Sequence, residues 1–160
     1  MAVYSVGPVA FDTPSMTTAT PGRNDAQLGT RIQYEGNEYV FVYNDGNSRI
    51  PVGYGAVLQS GASGYSVTVS AATSADLMVG ACKFASINTG YYGWLLTKGF
   101  GTVQMLASSG SVASRGLLEL GANGLFAPVS NTTGNAAPAV GQALAAIVSG
   151  ASGSAFISVF

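Results

Sequence analysis

A chain of 160 residues suits one compact domain with an appendage, and a domain of that size buries roughly 70% of the surface its unfolded chain exposes. Only 8% of the residues are charged, against about 25% in an average globular protein, and the net charge of −1 excludes the basic footprint of a nucleic-acid binder. Histidine is absent, which removes the commonest general base and the commonest metal ligand together.

Residues 1–37 differ from the rest. Pro8, Pro14 and Pro21 frame a Thr-rich stretch, with Val3, Tyr4, Val6, Val9 and Phe11 scattered among them. Proline and the residue before it favour extended backbone, so helix is not expected here. The segment reads as an N-terminal arm. It is either a disordered terminus or an extended strap that orders on a partner, and Tyr4 and Phe11 have no use in a purely solvating tail. The opening Met-Ala-Val-Tyr-Ser lacks the basic and apolar regions of a signal peptide. No run approaches the ~18 apolar residues of a spanning helix. The expectation is a soluble protein made in the cytoplasm, with no membrane partner.

From Glu38 onward, short apolar runs alternate with glycine-containing turns about every ten residues, the pattern of an all-β barrel or sandwich. Expected strands are Glu38–Tyr43, Tyr65–Ser70, Met78–Phe84, Tyr91–Lys98, Phe100–Ala107, Gly116–Leu120, Leu125–Val129, Val140–Val148 and Ala155–Phe160. Val140–Val148 reads equally as a short helix. Asp45-Gly46 and Asn123-Gly124 are expected tight-turn centres. The domain boundary is placed between residues 37 and 38.

Alternation predicts how the strands are used. In Tyr65–Ser70 the apolar Tyr65, Val67 and Val69 share one face, and Ser66, Thr68 and Ser70 are expected to meet water. Tyr39, Phe41 and Tyr43 oppose Val40 and Val42, and Tyr91–Leu96 is apolar on both sides. Two-sided apolar strands either lie mid-sandwich or are covered by another subunit.

Catalytic motifs are missing. The seven carboxylates form no spaced motif, and the charges thin out along the chain, leaving only Asp76, Lys83, Lys98, Arg115 and Glu119 beyond residue 50. Lys98-Gly-Phe-Gly101 and Gly150-Ala-Ser-Gly153 lack the Gly-Lys-Ser/Thr ending of a phosphate cradle and read as turns. Ser108-Ser-Gly-Ser111 has no partner base. Cys82 sits in an apolar run and reads as a small buried hydrophobe. The residues therefore point to a non-enzymatic protein without cofactor or metal. The Tyr91, Tyr92 and Trp94 cluster offers either core or intersubunit packing, or a stacking platform for sugars.

The C-terminal two-thirds forms an ordered series. It runs Asn88-Thr-Gly-Tyr-Tyr-Gly-Trp-Leu-Leu96, Gly99-Phe-Gly-Thr-Val103, Ser111-Val-Ala-Ser-Arg-Gly-Leu-Leu118, Gly124-Leu-Phe126, Val140-Gly-Gln-Ala-Leu144 and Phe156-Ile-Ser-Val-Phe160. Tyr39-Val-Phe-Val-Tyr43, Ile50-Pro-Val-Gly53 and Val79-Gly-Ala81 precede it. In order and spacing this series resembles the head decoration (capsid cement) proteins of tailed bacteriophages, over about residues 38–160. Where those sequences tend to carry Gly-Asp before the Leu run, this chain has Arg115-Gly116, which bears on the local turn.

The resemblance implies a small β-barrel or β-sandwich subunit on the outer surface of the capsid. Its partners would be the major capsid protein and copies of itself, as a homotrimer at three-fold and quasi-three-fold positions. Val3, Tyr4, Val6 and Phe11 of the arm would then lie on capsid or a neighbour, with Tyr91, Tyr92 and Trp94 near the trimer contact. The alternative is a trimeric tail-fibre or spike domain that grips a host glycan through Tyr91, Tyr92 and Trp94.

Overall fold

The structure, a computed structural model, describes residues 17–19, 27–59, 64–69, 77–129 and 138–159. Ten strands are formed among the described residues: β1 Arg31–Tyr34, β2 Asn37–Asn44, β3 Gly55–Leu58, β4 Ser66–Thr68, β5 Met78–Ala81, β6 Tyr92–Gln104, β7 Leu117–Leu120, β8 Phe126–Pro128, β9 Gly141–Ala143 and β10 Ser152–Ser158. A single 3₁₀ turn at Ala122–Gly124 accounts for the helical geometry among the described residues.

Five of the strands close on themselves. β2 pairs with β4, β4 with β3, β3 with β5, β5 with β6, and β6 returns to β2. The β2–β4 pair is parallel and the other four are antiparallel. Closure leaves no free edge within the ring. The hairpin strand β1 is attached outside it, along β2. Its turn is Glu35-Gly36, with φ of 48° and 74°, the two positive angles that match the twist of a two-residue hairpin.

The barrel is filled by small and branched side chains. Val40 and Val42 of β2, Ala56 of β3, Val67 of β4, Val79 of β5 and Leu95 of β6 meet Ile50, Cys82 and Ile87 in one buried cluster. The fully buried side chains there are no larger than Leu or Ile, with Tyr54, Tyr65 and Tyr91 packed at the margin. The larger side chains of the same strands turn outward, Tyr39 and Phe41 from β2, Met78 from β5, Trp94 and Leu96 from β6. They are covered by a second sheet in the order β6-β10-β9-β7-β8, all of its pairs antiparallel. Val103, Leu118, Phe126, Ala143, Ala155 and Ile157 supply that sheet's side of the layer.

The two-sided strands are thus covered within the chain. Tyr39, Val40, Phe41 and Val42 are all fully buried because β2 separates the two cores. Of the two sequence-level alternatives, the mid-sandwich one holds for β2 and for the first half of β6.

β6 serves both layers. Residues 92–96 and Lys98 pair with β2, and Lys98–Gln104 pair with β10. The changeover falls at Gly99, whose φ of 132° lies where L side chains rarely go. A Cβ there would collide with the Asn37 side-chain amide, whose Oδ1 accepts the Phe100 backbone N–H at 2.8 Å while its Nδ2 donates to the Glu35 carbonyl at 3.0 Å. Lys98–Gly101 is therefore the bend of one 13-residue strand and not a turn between two, a correction to the sequence expectation.

Other expectations change more locally. Ser66 and Thr68 are buried, because β4 is flanked by β2 and β3 and the 45–50 loop folds over it. Val140–Val148 is neither a long strand nor a helix: β9 ends at Ala143, and Ile147 joins Val112 through a separate bridge. The sheet also begins at Arg31, inside the stretch assigned to the arm. The Asn123-Gly124 turn is formed as expected, with φ of 57° and 75° and a hydrogen bond from Leu125 N–H to the Ala122 carbonyl. Arg115 takes the left-handed conformation, φ 63°, in a turn closed by Gly116 N–H on the Ala113 carbonyl. Its own N–H donates to the Ala143 carbonyl, so this turn is fastened to β9 through its backbone.

Candidate interaction surface

Register across the second sheet places one row of side chains on its outer face. Phe100 of β6 stands opposite Phe156 of β10, Phe156 opposite Gln142 of β9, and Gln142 opposite Leu117 of β7. Because side chains alternate along each strand, the neighbours Gly101, Ala155, Ala143 and Leu118 face the buried layer. Phe100 is 58% exposed, Leu117 51% and Leu144, just beyond β9, 45%. The Phe100 and Phe156 rings meet edge to face at 5.2 Å, a favoured aromatic geometry that steadies the pair in water.

Beside this row lies a shallow hollow of about 350 Å³, lined by Lys83, Phe84, Phe100, Thr102, Leu144 and Ser154. The Lys83 ammonium sits 5.1 Å from the centre of the Phe84 ring, a cation–π contact at the rim. Phe84 stacks in turn on Tyr39 and meets Tyr34 edge-on. The Arg115 backbone borders the other end, where Gln142 Nε2 donates to its carbonyl at 3.0 Å. The result is a partly apolar strip with one cation, Lys83, at its rim.

The sequence-predicted interface residues fall elsewhere. Val3, Tyr4, Val6 and Phe11 lie outside the described residues. Trp94 is only 3% exposed and packs 4.9 Å from Phe41 between the barrel and the second sheet. Of the readings open for Trp94, its burial fits core packing and leaves no ring face for a sugar. Tyr92 is half-buried, stacked on Phe41 and tilted against Tyr43 at 4.7 Å. Its backbone exchanges two hydrogen bonds with Thr18, 2.7 and 3.1 Å long, which ties residues 17–19 to the barrel. Tyr91 packs at the margin of the barrel cluster.

Sequence reasoning passed over Phe100, Phe156, Leu117 and Leu144 as a surface. Phe156 and Phe100 stand at opposite parity to the core residues Ile157 and Val103 of the same strands, and that mismatch was the available signal.

The nucleophile and the phenol with shifted ionisation are both interior. Cys82 is fully buried and donates to the Ala85 carbonyl at 3.0 Å, and burial pushes its thiol up to about 12. Tyr39 is raised to about 12 as well, first by burial and then by the Glu35 charge. Its hydroxyl has no hydrogen-bond partner among the described residues. No group of three or more His, Cys, Asp or Glu able to hold a metal occurs among the described residues.

The architecture is that of a closed five-stranded barrel extended through one shared strand into a flanking antiparallel sheet. Among solved structures it is similar to the base domain of the head fibre of bacteriophage phi29, "head fiber gp8.5 N base", with a TM-score of 0.53 and 12% sequence identity. The likeness covers 75% of this chain and 92% of that one, and at this identity it shows a shared fold. No protein-family model and no curated protein sequence matches the chain.

Proposed function

We propose that this chain is a non-enzymatic structural protein of a tailed-phage head, a decoration subunit that binds the outside of the assembled capsid. The observation that carries the reading is the outer row with Phe100 and Leu117 exposed and Phe156 half-buried between Phe100 and Gln142, a partly apolar face on a fold shared with a head-fibre base. The ordered motifs of residues 38–160, similar to capsid cement proteins, point the same way.

Clamping is the mechanism. A subunit that binds only the assembled lattice stabilises it by mass action. A homotrimer at three-fold and quasi-three-fold positions multiplies weak contacts through effective concentration, so a strip of four or so apolar side chains per copy suffices. The arm, with Val3, Tyr4, Val6 and Phe11, adds a second contact to capsid or neighbour. No cofactor, nucleic acid or membrane takes part.

A second reading is favoured by the same likeness: a base that seats a longer fibre on the head, since the similar solved domain is itself a fibre base. A reconstruction of the virion that carries this chain decides between them. Density for the chain spread over the shell lattice is expected. Density confined to the foot of a projecting fibre favours the second reading, and density on the tail alone overturns both.

A further inference from the structure

A cleft of about 470 Å³ opens at one end of the barrel, where β2 and β4 finish and β3 begins. It is lined by Asn47, Ser48, Arg49, Pro51, Tyr54, Thr68, Val69 and Asn123. Its size falls within the range of roughly 300–1,000 Å³ typical of small-ligand sites. None of the residues of the outer apolar row takes part in it.

The walls are built rather than incidental. The Asn44 side chain, fully buried, donates to the Ser48 and Ile87 carbonyls at 2.9 Å each and accepts the Gly46 N–H at 3.1 Å, which fixes the loop that carries Asn47, Ser48 and Arg49. Ile50 exchanges two backbone hydrogen bonds with Ile87. Gly53 donates to Cys82 and accepts from Gln104, and the Tyr54 carbonyl accepts from Cys82 N–H, all at 2.8 Å. Tyr54 packs against the barrel core with part of its ring exposed.

Asn123 arrives from a distant part of the chain. The tip of the β7–β8 hairpin presses on the barrel at Gly124, where a Cβ would lie 2.5 Å from the Gly55 carbonyl oxygen, so only glycine allows the approach. That contact brings Asn123 into the lining of the cleft together with the Asn47–Arg49 loop.

The lining has a distinct chemistry. It offers one guanidinium, two amides, hydroxyls from Ser48, Tyr54 and Thr68, and one aromatic ring, with no carboxylate. Arg49 makes no ion pair among the described residues. A single guanidinium suits a single carboxylate, which it can bind through two parallel hydrogen bonds. Amides and hydroxyls both donate and accept, as vicinal sugar hydroxyls require. The Tyr54 ring supplies the apolar surface for a pyranose face. A phosphate dianion, by contrast, is held by clustered cations or a helix N-terminus, neither of which occurs among the residues that line this cleft.

We infer that this cleft binds an acidic saccharide, a pyranose ring carrying one carboxylate, with the carboxylate on Arg49 and the hydroxyls between Asn47 and Asn123. Surface glycans rich in uronic or sialic acids are the corresponding macromolecular source. The inference does not depend on the capsid role.

The test is a nitrogen-15 NMR titration of the full chain with glucuronic, galacturonic and N-acetylneuraminic acids, with glucose and acetate as separate arms. At least one acid is expected to shift the Asn47, Ser48, Arg49 and Asn123 amides saturably, while glucose and acetate bind at least tenfold more weakly. Loss of a charge-assisted pair predicts that Arg49→Ala raises Kd by about tenfold or more with signal dispersion unchanged, because Arg49 is exposed. Arg49→Ala should still associate with heads as wild type does. Absence of shifts with all three acids, acetate matching the sugars, or undiminished binding by Arg49→Ala each overturns the inference.

Discussion

The two faces of the second sheet are made from the same strands and meet different fates. Its inner face carries Val103, Leu118, Ala143, Ala155 and Ile157, all buried against the aromatic exterior of the barrel. Its outer face carries Phe100, Phe156 and Leu117, with polar Thr102, Ser154 and Gln142 between them, and nothing in the chain's described residues covers it. Large rings would normally be the side chains placed inside. The inner face holds its own ring, Phe126, fully buried, so what sets the outer face apart is that Phe100 and Leu117 stay open to solvent, the kind of apolar surface that the proposed role would cover.

The difference is sharpest in the size of mutational effects. Trp94→Ala empties the centre of the layer between barrel and sheet and should cost about 3–5 kcal/mol, the usual range for deleting a buried indole. Urea unfolding measures it, and a loss under 1 kcal/mol would mean that Trp94 is not a core residue.

Alkaline pH probes the same interior. Cys82 and Tyr39 both have folded-state values raised by burial, from 9.0 to about 12 and from 10.0 to about 12. The unfolded chain therefore loses these protons first, so their contribution is complete below pH 9 and declines as pH rises toward 12. A drop of a few kcal/mol across that window is expected on the scale of about 1.4 kcal/mol per unit. Cys82→Ala should make the decline shallower above pH 9, and an unchanged slope would remove Cys82 from the account.

The bend that lets β6 serve both layers is tested at Gly99. Gly99→Ala must hold a positive φ and displace the Asn37 amide from the Phe100 N–H, at a cost of about 1–3 kcal/mol. Amide exchange should quicken at Phe100 before it quickens at Val40 or Val42. Unaltered exchange at Phe100 would contradict the pivot.

Much of this fold was legible because local pattern and burial agree. Strand β2 reads directly from Glu38–Tyr43, and Asn123-Gly124 declares its turn. Barrel closure was not legible, because it depends on β6 returning to β2 across some fifty residues and on a parallel β2–β4 pair, neither of which leaves a local mark. β1 was hidden by its polar Arg31 and Gln33 inside a proline-bearing segment, and β3 by its shortness and its glycine. The glycines of Lys98–Gly101 were misread because glycine marks a bend within a strand as readily as a turn between strands. As for the interaction surface, the aromatic cluster at residues 91–94 drew attention by density alone, whereas density of aromatics is also what a core requires. The surface Phe100 and Phe156 are far apart in sequence, and only their register joins them.

On the outer face the predicted effect on stability is the smallest of all. Phe100→Ser with Phe156→Ser removes an edge-to-face pair whose Phe100 ring is exposed and whose Phe156 ring is half-buried, so the cost should be about 1–2 kcal/mol, below that of Trp94→Ala. That makes the double variant the most direct measurement of the central claim. Under the proposed decoration role, it is mixed with phage heads assembled without the chain, and co-sedimentation is compared with wild type. The account predicts a folded variant with a near-native melting temperature that fails to sediment with heads. A folded variant that sediments with heads as fully as wild type would contradict it.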